Sequence, residues 1–185
     1  YQKTRAKVRQ TYKNIILIGF MGVGKGSVAR VLARKMGVFA IDGDDLIESF
    51  ANKKIKKIFE DDGEAEFRKI EKNLAKFLEK SVNGAVISTG GGFYKVKNLN
   101  KIGTVIYLKS NFDKIIERIK AAPNADKKLA KRPLLSDLNK AKALHKERDE
   151  AYAKKADLII NVEDKTPQQV AAKIVKLLNR KHLKG

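Results

Sequence analysis

Cysteine is absent from the 185 residues, which excludes disulfides, thiolate nucleophiles and cysteine-built zinc sites together. Two histidines are too few for a metal cluster, so any metal must be held by oxygen. Tryptophan is missing as well, and the basic stretches lack the interleaved aromatics of RNA-binding modules, which argues against nucleic acid as a partner. No apolar run approaches the ~20 residues of a membrane span. The N-terminus has no apolar segment behind its basic residues, so no secretory signal is visible, and the chain reads as soluble and cytoplasmic. Acids are scarce: 21 Asp and Glu stand against 41 Lys and Arg, a net charge of +20 that draws anions of any kind. Part of this surplus sits in "YQKTRAKVRQTYK", residues 1–13, expected to be a flexible basic leader, with Tyr1 in place of Met suggesting a fragment.

What remains fits one compact domain, residues 14–185, since 43% of the chain is hydrophobic and nothing marks a second core. "NIILIG" is a short β-branched run ending on glycine, and a helix follows with Val28, Val31, Leu32 and Met36 on one face. "VFAID", "AVIST", "TVIYL" and "DLIINV" supply four more apolar strands, separated by helical stretches. One of these, "GEAEFRKIEKNLAKFLEK", places Phe67, Ile70, Leu74, Phe77 and Leu78 at helical spacing. Thr166, Pro167 and Gln169 together form a helix start, with Val170, Ile174, Leu177 and Leu178 as its buried stripe. Apolar strands alternating with helices predict a three-layer α/β/α fold around a five-stranded parallel sheet, with ligands at the carboxyl ends of the strands. "KAAPNADKKLAKRPLLSD" fits neither period and reads as a mobile lid, about residues 119–136.

"GFMGVGKGSVAR" carries the chemistry. Gly19, Gly24 and Lys25 match G-x-x-x-x-G-K between a strand and a helix, where backbone N–H groups wrap phosphate oxygens and the lysine reaches the β and γ phosphates. Gly26 breaks the pattern, because a Ser or Thr there places its hydroxyl on magnesium. Three readings are open: Ser27 reaches the metal, water takes the position, or nucleotide is bound without a productive metal. A step of one residue turns a side chain by ~100°, which counts against Ser27. Magnesium readily keeps its water, and the second reading is preferred.

With "GFMGVGKGS", "IDGDDLIE", "FRKIE", "STGGGF", "KRPLL" and "RDEAY" in that order, the sequence resembles the shikimate kinase family from about Asn14 to its end. The resemblance implies strand order 2-3-1-4-5, ATP and Mg2+ as cosubstrate and metal, shikimate as acceptor and a monomer without membrane partners. It further implies roles for particular residues. Gly22, Val23, Gly24, Lys25, Gly26 and Ser27 would cradle ATP, Arg118 would stack on adenine, and Arg132 would close over the transferred phosphoryl group. Asp44 would bind the acceptor hydroxyl and take its proton, while Asp42 would hold magnesium through water. Arg68 and Arg148 would grip the acceptor carboxylate, with Gly90, Gly91 and Gly92 lining the ring. Residue chemistry offers alternatives: a helix cap for Asp42 or Asp44, and an internal ion pair with a glutamate such as Glu71 for Arg68 or Arg148. Arg148, in register with Leu138, Ala141 and Leu144, points inward and needs an anion. The stretch between Arg118 and Arg132 departs from the family in being longer and more basic, with Lys127, Lys128 and Lys131. Two other functions compete: a gluconate-kinase-like enzyme, suggested by "DGDD", and a catalytically weakened nucleotide- or nucleic-acid-binding relative, suggested by Gly26, the long lid and the charge.

Overall fold

Apolar β-branched runs form the centre of the molecule. The computed structural model describes residues 13–182, so the expected leader lies outside the described residues apart from Lys13. β1 (Ile15–Ile18), β2 (Ala40–Asp42), β3 (Val86–Ser88), β4 (Thr104–Lys109) and β5 (Leu158–Asn161) form one parallel sheet in the order β2-β3-β1-β4-β5. Ile16 of β1 stands between Ile87 and Val105, which sets the register of the central strands. β1 and β3 are buried along their whole length, as apolar strands covered on both faces must be, whereas the edge strands β2 and β5 are partly exposed.

The connecting helices are α1 (Lys25–Met36), α2 (Gly43–Ala51), α3 (Ile55–Asp61), α4 (Gly63–Ser81), α5 (Leu99–Ile102), α6 (Phe112–Lys120), α7 (Ala125–Ala130), α8 (Leu138–Lys155) and α9 (Pro167–His182). α1 packs along α9 and against β2 and β3, while α5 and α8 lie against β4 and α4 packs on α5, so helices cover both faces of the sheet. α9 begins as its sequence predicts: the Thr166 N–H donates to Gln169 Oε1 at 2.9 Å and the Gln169 N–H donates to Thr166 Oγ1 at 3.2 Å, a reciprocal cap. α1 and α9 contain no acidic residue, and Arg30, Arg34, Lys173, Lys176 and Arg180 are exposed on them without an ion pair among the described residues.

Two expectations need correction. Phe77 is half exposed, so the inner face of α4 is Phe67, Ile70, Glu71, Leu74, Ala75 and Leu78, with a buried glutamate among the apolar residues. Leu138 is also exposed, leaving Ala141, Arg148 and Tyr152 as the buried face of α8. The segment that fits neither period contains α7 and a short 3-10 turn, Pro133–Ser136, anchored by the buried Leu135. Six-residue helices escape periodicity because they hold less than two turns.

Asn14 ties three segments together below β1. Its Nδ2 donates to the carbonyls of Val82 and Ile102, both at 2.9 Å, and its Oδ1 accepts from the Ala85 N–H at 3.0 Å, with the residue fully buried. Asn14→Leu would strand three backbone groups, and we expect a loss of about 3 kcal/mol in urea unfolding with an unchanged m-value. A loss below about 0.5 kcal/mol would mean that water replaces these bonds.

Candidate active site

β1 ends at Ile18, and from Gly19 the chain wraps back to start α1 at Lys25. Gly24 caps that helix at φ 100°, a left-handed conformation that favours glycine. A Cβ on Gly24 would stand only 2.5 Å from Arg118 Nη2, so the glycine also admits the guanidinium above the loop. Gly22, at φ 82°, is pressed in the same way against Ile119. Lys25 is buried, and its Nζ donates to the loop's own carbonyls, Gly19 at 2.6 Å and Phe20 at 3.0 Å. Burial pushes its pKa down to about 8; the nearby Asp44 and Asp42 pull it up, while the charges of Arg132 and Arg148 push it further down.

On the other side of the cleft, Asp42 closes β2 and caps α2. Its Oδ1 accepts from the N–H groups of Asp44 at 2.9 Å and Asp45 at 3.2 Å, and its Oδ2 accepts from Ser88 Oγ at 3.2 Å. The capping alternative thus holds for Asp42, and the cap turns Asp44 inward. Burial first, and then the Asp42 charge, raise the Asp44 pKa to about 6, against the pull of Lys25.

The three glycines after β3 each face a different polar group. A Cβ on Gly90 would stand 2.8 Å from Asp44 Oδ1, one on Gly91 3.0 Å from Arg148 Nη1, and one on Gly92 2.6 Å from Arg68 Nη1. The "TGGG" run therefore brings Asp44, Arg148 and Arg68 together along one short length of backbone. Arg148 is buried, has no ion pair among the described residues, and its Nε lacks any hydrogen-bond partner. Arg68 does have one: its Nη1 bonds Glu71 Oε1 at 2.6 Å, and Glu64 lies at 3.4 Å. The internal ion pair is thus formed for Arg68. Burial raises the pKa of Glu71, with Arg68 opposing. Tyr152, one turn after Arg148, donates its hydroxyl to the Gly91 carbonyl at 2.6 Å and fixes the strip in place.

Beyond Gly24 a cleft of about 370 Å³ opens, lined by Val23, Lys114 and Arg118 on one side and by Asp164, Thr166 and Pro167 on the other. Arg118 Nη1 reaches the Val23 carbonyl at 3.3 Å. The loop between β5 and α9 was not legible as part of a site; Asp164, left-handed at φ 55°, marks the tight turn that brings it there. Arg132 is half-buried and donates to the Lys128 carbonyl at 2.9 Å; burial lowers its pKa. Ser27 Oγ faces Arg30 Nη2 at 3.5 Å, on the first turn of α1.

Comparison with known proteins identifies the family. The shikimate kinase family model matches residues 21–179. The chain belongs to the shikimate kinase family. A shikimate kinase from Helicobacter hepaticus is 39% identical over 168 residues, covering 91% of this chain and 97% of that relative. The structure of the shikimate kinase from Acinetobacter baumannii in complex with shikimate superposes with a TM-score of 0.81 at 32% identity, covering 93% of this chain and 96% of that one. The shikimate kinase from Aquifex aeolicus gives 0.75 at 34% identity, covering 93% and 99%. Like other shikimate kinases, the chain is an ATP-dependent kinase with the 2-3-1-4-5 sheet of that family.

Asp44 gives the site a pH signature. Between the ordinary carboxylate value of 3.8 and about 6, the native protein holds a proton that the unfolded chain releases. Its contribution to stability is therefore complete below pH 4, falls as pH rises through this window, and stays lost above it. Asp44→Asn should raise the unfolding free energy at pH 8 by about 1–3 kcal/mol and leave it unchanged at pH 4. Melting curves at the two pH values check this, and equal gains at both would point to packing.

Proposed function

We propose that this chain transfers the γ-phosphoryl group of ATP to the 3-hydroxyl of shikimate. The observation that carries the proposal is the convergence of Asp44, Arg148 and Arg68 on Gly90, Gly91 and Gly92, with Arg148 buried and short of an anion. A planar carboxylate suits the fork of a guanidinium, and a hydroxyl suits the Asp44 carboxylate beside it as a hydrogen-bond acceptor. The shikimate-bound relative from Acinetobacter baumannii supports the same acceptor. Shikimate would lie on the glycine strip, its carboxylate on Arg148 and Arg68, the latter also held by Glu71.

In this mechanism the loop from Gly22 to Ser27 and the start of α1 bind the phosphates through N–H groups, and the cleft beside Arg118 takes the adenine. Lys25 exchanges the carbonyls of Gly19 and Phe20 for phosphate oxygens. The acceptor oxygen attacks the γ phosphorus in line, the bond to the β–γ bridging oxygen breaks, and the hydroxyl proton passes to Asp44. ADP and shikimate 3-phosphate are the products. A pKa of about 6 keeps the Asp44 carboxylate ionised at neutral pH yet basic enough to accept that proton. Arg132, folding over from the segment after α7, adds positive charge where the equatorial oxygens become more negative.

The donors present fit a hydrated magnesium ion. No group of three or more metal-binding side chains exists among the described residues, Gly26 offers no hydroxyl, and Asp42 has one carboxylate oxygen directed at Ser88. Asp42 would hold the ion through water, and water would serve in place of the hydroxyl that Gly26 lacks. When bound, magnesium neutralises charge on the phosphates.

No helix among the described residues is long and apolar enough to cross a membrane. Coupled ADP release should depend on shikimate. Release with gluconate and none with shikimate would replace this acceptor by the rival one. Arg148→Lys should weaken shikimate binding about 10- to 100-fold in calorimetry with a non-hydrolysable ATP analogue, while ADP binding is unchanged. Equal loss of both ligands would instead indicate a general structural role.

A further inference from the structure

Gly26 and Arg30 are one turn apart on the same side of α1, and side chains on a helix lean toward its N-terminus. A Cβ built on Gly26 meets a single atom within 4 Å, Arg30 Nη1 at 3.4 Å. Arg30 Nη2 stands 3.5 Å from Ser27 Oγ. The guanidinium thus lies against the first turn of the phosphate-binding helix, beside the space that a side chain at position 26 would fill. Arg30 has no ion pair among the described residues, and α1 has no acid in its first turn.

We propose that Arg30 is a nucleotide-binding residue of this enzyme, a guanidinium that meets the phosphate oxygens from the side left open by Gly26. The inference rests on the nucleotide site proposed above. Its chemistry is the bidentate pairing of a planar cation with a phosphate, added to the N–H groups and the positive end of α1. A side chain at position 26 would stand in contact with Nη1, so a metal-holding hydroxyl there and the Arg30 guanidinium would compete for the same side of the phosphates. The consequence is specific: part of the charge on the diphosphate is neutralised by the protein, and nucleotide binding depends less on a divalent ion.

Calorimetric titration with ADP tests this, once with magnesium and once with EDTA. The wild type should lose less than about threefold in affinity on removal of the metal, and Arg30→Gln a further fivefold or so in EDTA, as fits an exposed charge pair. Arg30→Gln keeps length and helix propensity, and its melting temperature verifies folding. Gly26→Ser should make binding depend more steeply on magnesium. If Arg30→Gln binds ADP in EDTA as the wild type does, or Gly26→Ser leaves the metal dependence unchanged, the role of Arg30 is overturned while the nucleotide site stands. If the wild type fails to bind ADP even with magnesium, the nucleotide site falls too.

Discussion

Two opposite charges, a buried Lys25 and a partly buried Asp44, govern this molecule from the carboxyl ends of the strands. Lys25 and Asp44 are both displaced by burial toward their neutral forms, and each partly relieves the other. Neither is fully satisfied by the protein: the ammonium makes do with two loop carbonyls, and the carboxylate stands against a glycine. Such a site is a store of unfavourable solvation that substrates relieve. A phosphate chain on one side and a hydroxyl on the other convert a cost to the fold into binding and catalysis.

The surrounding architecture keeps this arrangement rigid. Short parallel strands end together, so Gly19, Asp42 and Ser88 reach the same edge of the sheet, and the cap at Asp42 orients α2. Tyr152 clamps Gly91 from α8, the helix that also carries Arg148. The acceptor side and the nucleotide side therefore share supports, and a shift in one is felt by the other.

Much of this was legible in the sequence. Strand order followed from the family resemblance, and the strands themselves from apolar runs that end on glycine or acid. The start of α9 could be read directly because Thr166, Pro167 and Gln169 act locally. What could not be read depends on contacts far apart in the chain. The partner of each glycine in Gly90–Gly92 comes from a different helix, and no spacing rule encodes it. Phe77 fits a helical stripe yet is exposed, because the inward arc of α4 is narrower than its apolar arc and includes Glu71. Arg68 pairs with Glu71 through Nη1, the same nitrogen that stands nearest Gly92, so a carboxylate on the glycine strip would share this guanidinium with Glu71.

The acid-free surface shared by α1 and α9 shapes how ligands arrive. Several unpaired cations along these helices, with Arg30 against the first turn after the phosphate loop, produce a field that extends about a Debye length into solution, roughly 8 Å at physiological ionic strength. Polyanionic cosubstrates are concentrated there before any specific contact forms, which accelerates their encounter with the loop and makes that acceleration sensitive to salt. Sulfate, phosphate and pyrophosphate are drawn by the same field, so the ionic composition of the medium sets how much of the enzyme is free to meet ATP.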